Sequence, residues 1–213
     1  IRLMQASTNP ALLEKPLDDY FKDEGLSNSL FVDDSSVLRN IRNYYSHEIP
    51  PKFTVAKDLI ETIIRDQGKV VVWVTFIKNI EDLSAYLTQN GIPNRTIYGA
   101  TPVESNEEDE FSETRESIIR DFHDPESDFK VLVANPFAVS ESISLHKVCH
   151  NAIYLERTFN AAHFLQSKDR IHRYGLQPTD IINYYYLLSD NNVDISIDEA
   201  LRNKEKRMLD IIE

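Results

Sequence analysis

A chain of 213 residues, 41% hydrophobic and 27% charged, has the size for one sizeable core and the composition of an ordinary globular protein. No apolar run approaches the ~20 residues needed to span a bilayer. The opening Ile1-Arg2-Leu3-Met4-Gln5-Ala6 does not read as a secretory signal, and the lone Cys149 excludes an intrachain disulfide. It reads as a small core filler in a reducing, intracellular compartment, cytoplasmic in a prokaryote or nuclear in a eukaryote. The formal net charge of −12 argues against a chain that grips nucleic acid with its whole surface, but the charge is uneven. Residues 104–116 hold seven acidic groups against Arg115 alone. Residues 146–173 hold Lys147, Arg157, Lys168, Arg170 and Arg173 against Glu156 and Asp169, with four of the six histidines. An anion-attracting surface is therefore expected to be local.

Helical periodicity opens the chain and is broken by Pro10; a polar, acidic segment follows from Asp18 to Asp34. Ser35 and Ser36 can cap a helix running to about His47. Pro50-Pro51 opens the next helix, with Phe53, Ala56, Leu59, Ile60, Ile63 and Ile64 as its apolar stripe and Gly68 at its end. From Lys69 the pattern changes. Val70-Val71-Val72-Trp73-Val74 is a continuous run that implies a strand covered on both faces, and hence a parallel sheet. A helix from about Lys78 to Gln89 stops at Asn90-Gly91. Thr96-Ile97-Tyr98 reads as a second strand, followed by the acidic segment and a helix containing Ile118, Ile119 and Phe122. Lys130 to Ala134, Ala152 to Leu155 and Ile181 to Leu187 read as three more strands, and a terminal helix begins at about Ile197. This alternation predicts an α/β fold, a doubly wound parallel sheet with helices on both faces. Residues 1–68 form a helical lead-in, 69–190 the sheet domain and 191–213 a C-terminal helical segment.

Gln166-Ser167-Lys168-Asp169-Arg170-Ile171-His172-Arg173-Tyr174-Gly175 lies between the last two strands. Read as a helix, it places Gln166, Arg170 and Arg173 on one face near a sheet edge, where guanidinium forks suit a polyphosphate. Spacing alone leaves this open against an ordinary helix with solvated arginines. Thr75 and Lys78, at the carboxyl end of the first strand, are placed for a backbone phosphate, although Thr75 equally suits a helix cap. His146, Cys149 and His150 lack further ligands at zinc spacing, so no metal site is expected. Tyr184-Tyr185-Tyr186 reads as packing surface before base-stacking platform.

The ordered set of motifs resembles a known family. Q-S-K-D-R-I-H-R-Y-G looks like motif VI of the Swi/Snf-type ATPases of helicase superfamily 2. Glu156-Arg157-Thr158-Phe159-Asn160 stands where that family has an acidic residue followed by tryptophan and asparagine. Val70 to Phe76 resembles motif IV. Tyr98-Gly99, Arg115 and Phe122 resemble its spaced glycine, arginine and phenylalanine. M-Q-A-S-T-N-P-A-L-L resembles the linker into the second lobe, and Asp194 to Lys204 the helical brace. The resemblance implies a second RecA-like lobe of a two-lobe motor acting on double-stranded DNA. ATP with Mg²⁺ would sit between this lobe and an N-terminal RecA-like lobe that holds the metal. Arg170 and Arg173 would be arginine fingers, with Gln166 orienting them or the nucleotide.

Motif V departs from the family. In Asn135-Pro136-Phe137-Ala138-Val139-Ser140-Glu141-Ser142-Ile143-Ser144-Leu145, Val139, Ser140 and Ser142 stand at the usual glycine positions. Serine hydroxyls can donate to DNA phosphate, so Ser140 and Ser142 are candidate contacts, but serine lacks the positive-φ freedom of glycine. No G-x-x-x-x-G-K-[ST] loop or D-E-x-H-type box occurs, and both belong to the first lobe of the family. The expectation is a piece of a longer ATPase, inactive alone, with residues 104–116 open to a protein partner. The alternative is a non-catalytic module that binds nucleic acid or protein on a helicase-lobe fold.

Overall fold

Strands β1 (Val70–Trp73), β2 (Asn94–Ile97), β3 (Val131–Ala134), β4 (Asn151–Tyr154) and β5 (Asn183–Tyr186) form one parallel sheet in the order β2-β3-β1-β4-β5. The computed structural model describes residues 1–14, 36–66, 68–103, 113–138, 143–190 and 192–212. Its helices are α1 (Arg2–Thr8), α2 (Ser36–Arg42), α3 (Tyr44–His47), α4 (Pro51–Arg65), α5 (Ile77–Gln89), α6 (Arg115–His123), α7 (Ala161–Lys168) and α8 (Asn192–Ile212). A 3₁₀ turn, Pro10–Leu13, follows α1 and is capped by the Asn9 side chain. No helix among the described residues is long and apolar enough to cross a membrane.

The two central strands, β1 and β3, are buried at every position. Their pleat sends successive side chains to opposite faces. Val70, Val72, Val131 and Val133 meet α4 and α5 through Phe53, Ala56, Ile60, Ile80, Leu83 and Leu87. Val71, Trp73, Leu132 and Ala134 meet α6, α7 and α8 through Ile118, Phe122, Phe164, Ile197 and Leu201. Helices thus cover both faces, as a continuous apolar strand requires. Cys149 is wholly buried, and burial pushes its thiol up to about 12, so it serves as core.

Glycine is used at two helix ends for different reasons. Gly91, at φ 75°, closes α5 in the left-handed conformation that L side chains avoid. Gly68 donates to the Ile63 carbonyl at 2.9 Å, where a Cβ would come within 2.9 Å of Ile63 Cγ2 and 3.1 Å of Ile63 O. Gly68→Ala is expected to cost about 1–3 kcal/mol by overpacking, read as a lower urea midpoint at unchanged slope.

Three boundaries differ from the sequence expectation. β2 starts at Asn94, because the Asn94 side chain is buried in hydrogen bonds to Ser84, Thr88 and Ile92, which hydropathy does not register. β5 is a half-buried edge strand and not a second buried one. Tyr184 and Tyr186 pack on one face and Tyr185 on the other, which bears out the packing role of the tyrosine run. The terminal helix begins at Asn192, ahead of Ile197, because Asp194 and Asp198 in its first turns are polar yet buried. Asp194 accepts from Lys52 Nζ on α4 at 2.6 Å and from the Ser189 N–H at 2.8 Å, and the Ser7 hydroxyl reaches it at 3.4 Å. The start of α8 is thereby tied to α1 and α4, although α4 and α8 cover opposite faces of the sheet.

Candidate nucleotide and nucleic-acid sites

The carboxyl ends of β1, β3 and β4 are held together by one buried carboxylate and one amide. Glu156, just past β4, accepts from the Thr75 N–H at 2.7 Å, the Phe76 N–H at 3.2 Å and the Asn79 amide. Those N–H groups belong to the open start of α5, so a residue from another strand does the capping. Thr75 is therefore no side-chain cap; the N-cap residue is Phe76. Asn79 in turn accepts from the Asn9 amide at 2.7 Å, which ties the lead-in to this network. Burial pushes the Glu156 carboxyl above its ordinary range, while the hydrogen bonds from Asn79, Thr75 and Phe76 oppose the shift. A raised folded value means that stability falls as pH rises above 4.5, the ordinary value, through the folded one. Glu156→Gln sets a second amide N–H₂ group against the Asn79 donor, whose oxygen is already committed to Asn9. We expect a loss of about 1–3 kcal/mol, measured by urea unfolding.

Asn135, after β3, donates to the Thr75 carbonyl at 2.9 Å and accepts from the Phe137 N–H at 2.8 Å. Lys78 pairs with Asp82 one turn on and lies over the Tyr45 ring, 5.9 Å from its centre, with 59% of its side chain exposed. Thr75 and Lys78 thus share one edge of the sheet. Phe137 and Phe159 are exposed at that edge, and His163 packs edge-on against Phe137 at 4.3 Å. Ser140, Glu141 and Ser142, and residues 104–112 of the acidic segment, lie outside the described residues.

The arginines stand elsewhere. α7 ends at Lys168, so Gln166, Arg170 and Arg173 do not share a helical face as the spacing suggested. Arg170, Ile171 and His172 continue as tight turns, their N–H groups donating to the Ser167 and Lys168 carbonyls at 3.0–3.3 Å. Asp169, at the cap, and buried Ile171 turn the chain inward. The helix also runs back along the sheet: Phe164 packs on Tyr186, whereas Lys168 lies over Tyr184, earlier in β5. Arg170 and Arg173 therefore lie about 12 Å of helix away from the carboxyl edge that holds Thr75. They do not occupy the C-terminal crevice that sheet position alone would assign to a ligand. Gln166 and Arg173 are exposed, and Arg173 meets no carboxylate among the described residues. Arg170 is half-buried, with Nη1 3.4 Å from the Ile143 carbonyl and its own carbonyl accepting from the Leu145 N–H at 2.8 Å.

The model of the helicase conserved C-terminal domain matches residues 52–175, which spans β1 to β4, α7 and the arginine turn. The chain belongs to the helicase C-terminal domain family. No curated protein matches it. Among solved structures, it is similar to the C-terminal part of the Fun30 ATPase domain, at 20% identity and a TM-score of 0.63, over 93% of this chain and 70% of that one. The expected RecA-like fold is therefore borne out.

In this helicase C-terminal domain α8 clasps α7, which carries the arginine turn, and the loop before it. Arg157 pairs with Asp198 on α8 at 2.6 Å, with 6% and 11% of the two side chains exposed, and lies 4.3 Å from the Tyr186 ring centre. Lys168 pairs with Glu205, and Lys204 Nζ donates to the Phe159 carbonyl at 2.8 Å. Arg115, known from sequence only by its motif position, uses its guanidinium on carbonyls alone. It reaches Thr101 at 2.9 Å, Ala138 at 3.1 Å, Tyr98 at 3.2 Å and Gly99 at 3.3 Å, locking the loops after β2 and β3 together. No group of three or more metal-ligating side chains occurs among the described residues.

Proposed function

We propose that this helicase C-terminal domain is the second RecA-like lobe of a DNA-dependent ATPase of Swi/Snf type. In this reading residues 1–68 lead in from the first lobe, 69–190 form the second lobe and 191–213 brace it. The observation that carries the reading is the Arg170–Arg173 turn at the end of α7, inside the matched region, with Arg173 exposed and unpaired to any carboxylate among the described residues. An exposed guanidinium with no carboxylate partner among the described residues suits a phosphate. ATP with Mg²⁺ would sit between the lobes, the metal held by the other lobe and supplying charge neutralisation at the γ-phosphoryl group. Arg170 and Arg173 then place positive charge where the transition state becomes negative, with Gln166 on the last turn of α7 orienting them. Thr75 and Lys78, at the carboxyl edge of the sheet, serve duplex DNA; Ser140 and Ser142 join them in this role by their place in the motif, and residues 104–116 serve a protein partner.

The test is turnover with the lobes apart and joined. This chain alone is expected to hydrolyse no ATP, with or without duplex DNA. Joined to a lobe carrying the phosphate-binding loop and acidic box, it should give turnover that DNA stimulates and salt suppresses. DNA or protein binding by the joined form without any turnover would instead establish the non-catalytic module.

A further inference from the structure

Three segments meet around one buried imidazole. His146 is 8% exposed. Its Nδ1 lies 2.7 Å from the Ser144 hydroxyl, and its Nε2 faces the turn at Gly175, where an added Cβ would lie 3.7 Å away. His123, at the end of α6, donates from Nε2 to the Ser144 carbonyl at 2.8 Å, and His150 donates from Nε2 to the His146 carbonyl at 2.9 Å. The same short segment holds the arginine turn. The Leu145 N–H donates to the Arg170 carbonyl at 2.8 Å, the Ile143 carbonyl receives Arg170 Nη1 at 3.4 Å, and Leu145 and Ile171 are wholly buried.

The charged and titratable groups facing the ring are Lys147 and His150 from its own segment, His123 from α6 and Arg173 from the turn. Each is a cation or becomes one on protonation. Burial first, then these neighbours, holds His146 below its ordinary 6.5. A proton on the ring would set a new cation against Arg173.

We propose that His146 is a positioning residue for the arginine turn: a buried ring wedged between residues 143–150 and 170–175 that fixes where Arg170 and Arg173 stand. Its consequence for turnover rests on the phosphate-facing reading above; the wedge itself does not.

Amide hydrogen exchange read by mass spectrometry on peptides covering 169–176 tests the wedge directly. In His146→Ala and Ser144→Ala these amides should exchange at least ~10-fold faster, with those of β1 and β3 unchanged. Tenfold faster exchange corresponds to about 1.4 kcal/mol less opening free energy, within the range for losing one buried hydrogen-bond partner. If His146→Ala does not fold, Ser144→Ala decides, since it leaves the buried ring in place. In the wild type, exchange corrected for its intrinsic pH dependence should quicken as pH drops below the histidine range, and His146→Asn should lack that response. Exchange equal to wild type in the folded variants overturns the proposal. In the joined two-lobe protein, Ser144→Ala should lower kcat about 10-fold with KM unchanged. Faster exchange together with turnover indifferent to Arg170→Ala keeps the positioning role and removes the finger assignment. Unchanged exchange with turnover lost in Arg170→Ala keeps the motor and overturns the wedge.

Discussion

Arg170→Ala and Arg173→Ala are each expected to lower DNA-stimulated ATP turnover of the joined protein by about 10³-fold or more, the scale on which an arginine finger acts. Phosphoryl transfer leaves little covalent work to the protein, so the loss falls on charge and placement. The two variants should differ in their side effects. Arg173 is exposed, and its removal should leave the unfolding midpoint unchanged. Arg170 is half-buried and touches the Ile143 carbonyl, so its alanine variant should also loosen residues 143–145. Arg173→Lys keeps the charge but loses the planar fork, and should recover only part of the rate. Steady-state ATP turnover over a DNA titration, beside urea unfolding of each variant, checks all of this. Full turnover in both alanine variants would remove the finger assignment.

Asp198→Asn is expected to be the most destabilising single change, costing about 3–5 kcal/mol, because it leaves the Arg157 guanidinium buried without a counter-charge. Arg157 is enclosed by Phe164 and Tyr186, at 5.7 and 4.3 Å from their ring centres, so water cannot replace the carboxylate at little cost. A double replacement by apolar residues of similar volume should cost much less, since no charge is then buried. The pH dependence has a definite sign. Burial by itself would raise the Asp198 carboxyl, but the hydrogen bonds and charges of Arg157 and Arg202 outweigh it and hold the group below its ordinary 3.8. The unfolded chain takes up that proton first as pH falls. The contribution is thus complete above about pH 4 and is lost on acidification through the folded value. Asp198→Asn should lack this acid limb in urea midpoints measured between pH 3 and 7. A midpoint within about 1 kcal/mol of wild type at pH 7 would show that the pair does not hold α8 to the domain.

The sheet was legible because β1 and β3 are unbroken apolar runs, and only a strand covered on both faces needs such a run. The cover was legible from the stripe Phe53-Ala56-Ile60 and from Ile80-Leu83-Leu87. What escaped was polar and long-range. Glu156 caps a helix that starts 80 residues earlier in the chain, as its bond to Phe76 shows, and local spacing carries no trace of it. Nothing in the local sequence marks Asp194, ahead of the helix expected from Ile197, or Asp198, in its first turn, as buried, yet they are buried against Lys52 and Arg157. The end of α7 escaped for another reason. Gln166, Ser167, Lys168 and Arg170 are all compatible with helix, and only the docking of Ile171 and the bond from Leu145 turn the chain there. The arginines were found through their motif and not through the helical face first suggested for them.

The arginine turn is most directly tested by the affinity of the joined protein for ADP with aluminium fluoride, a mimic of the transferring phosphoryl group, beside its affinity for ADP alone. Groups that act on the transition state bind the mimic and ignore the product. Wild type should hold the mimic at least ~100-fold tighter than Arg170→Ala and Arg173→Ala do, with ADP bound equally by all three. Equal affinity for the mimic across the three proteins would contradict a role for this turn at the γ-phosphate.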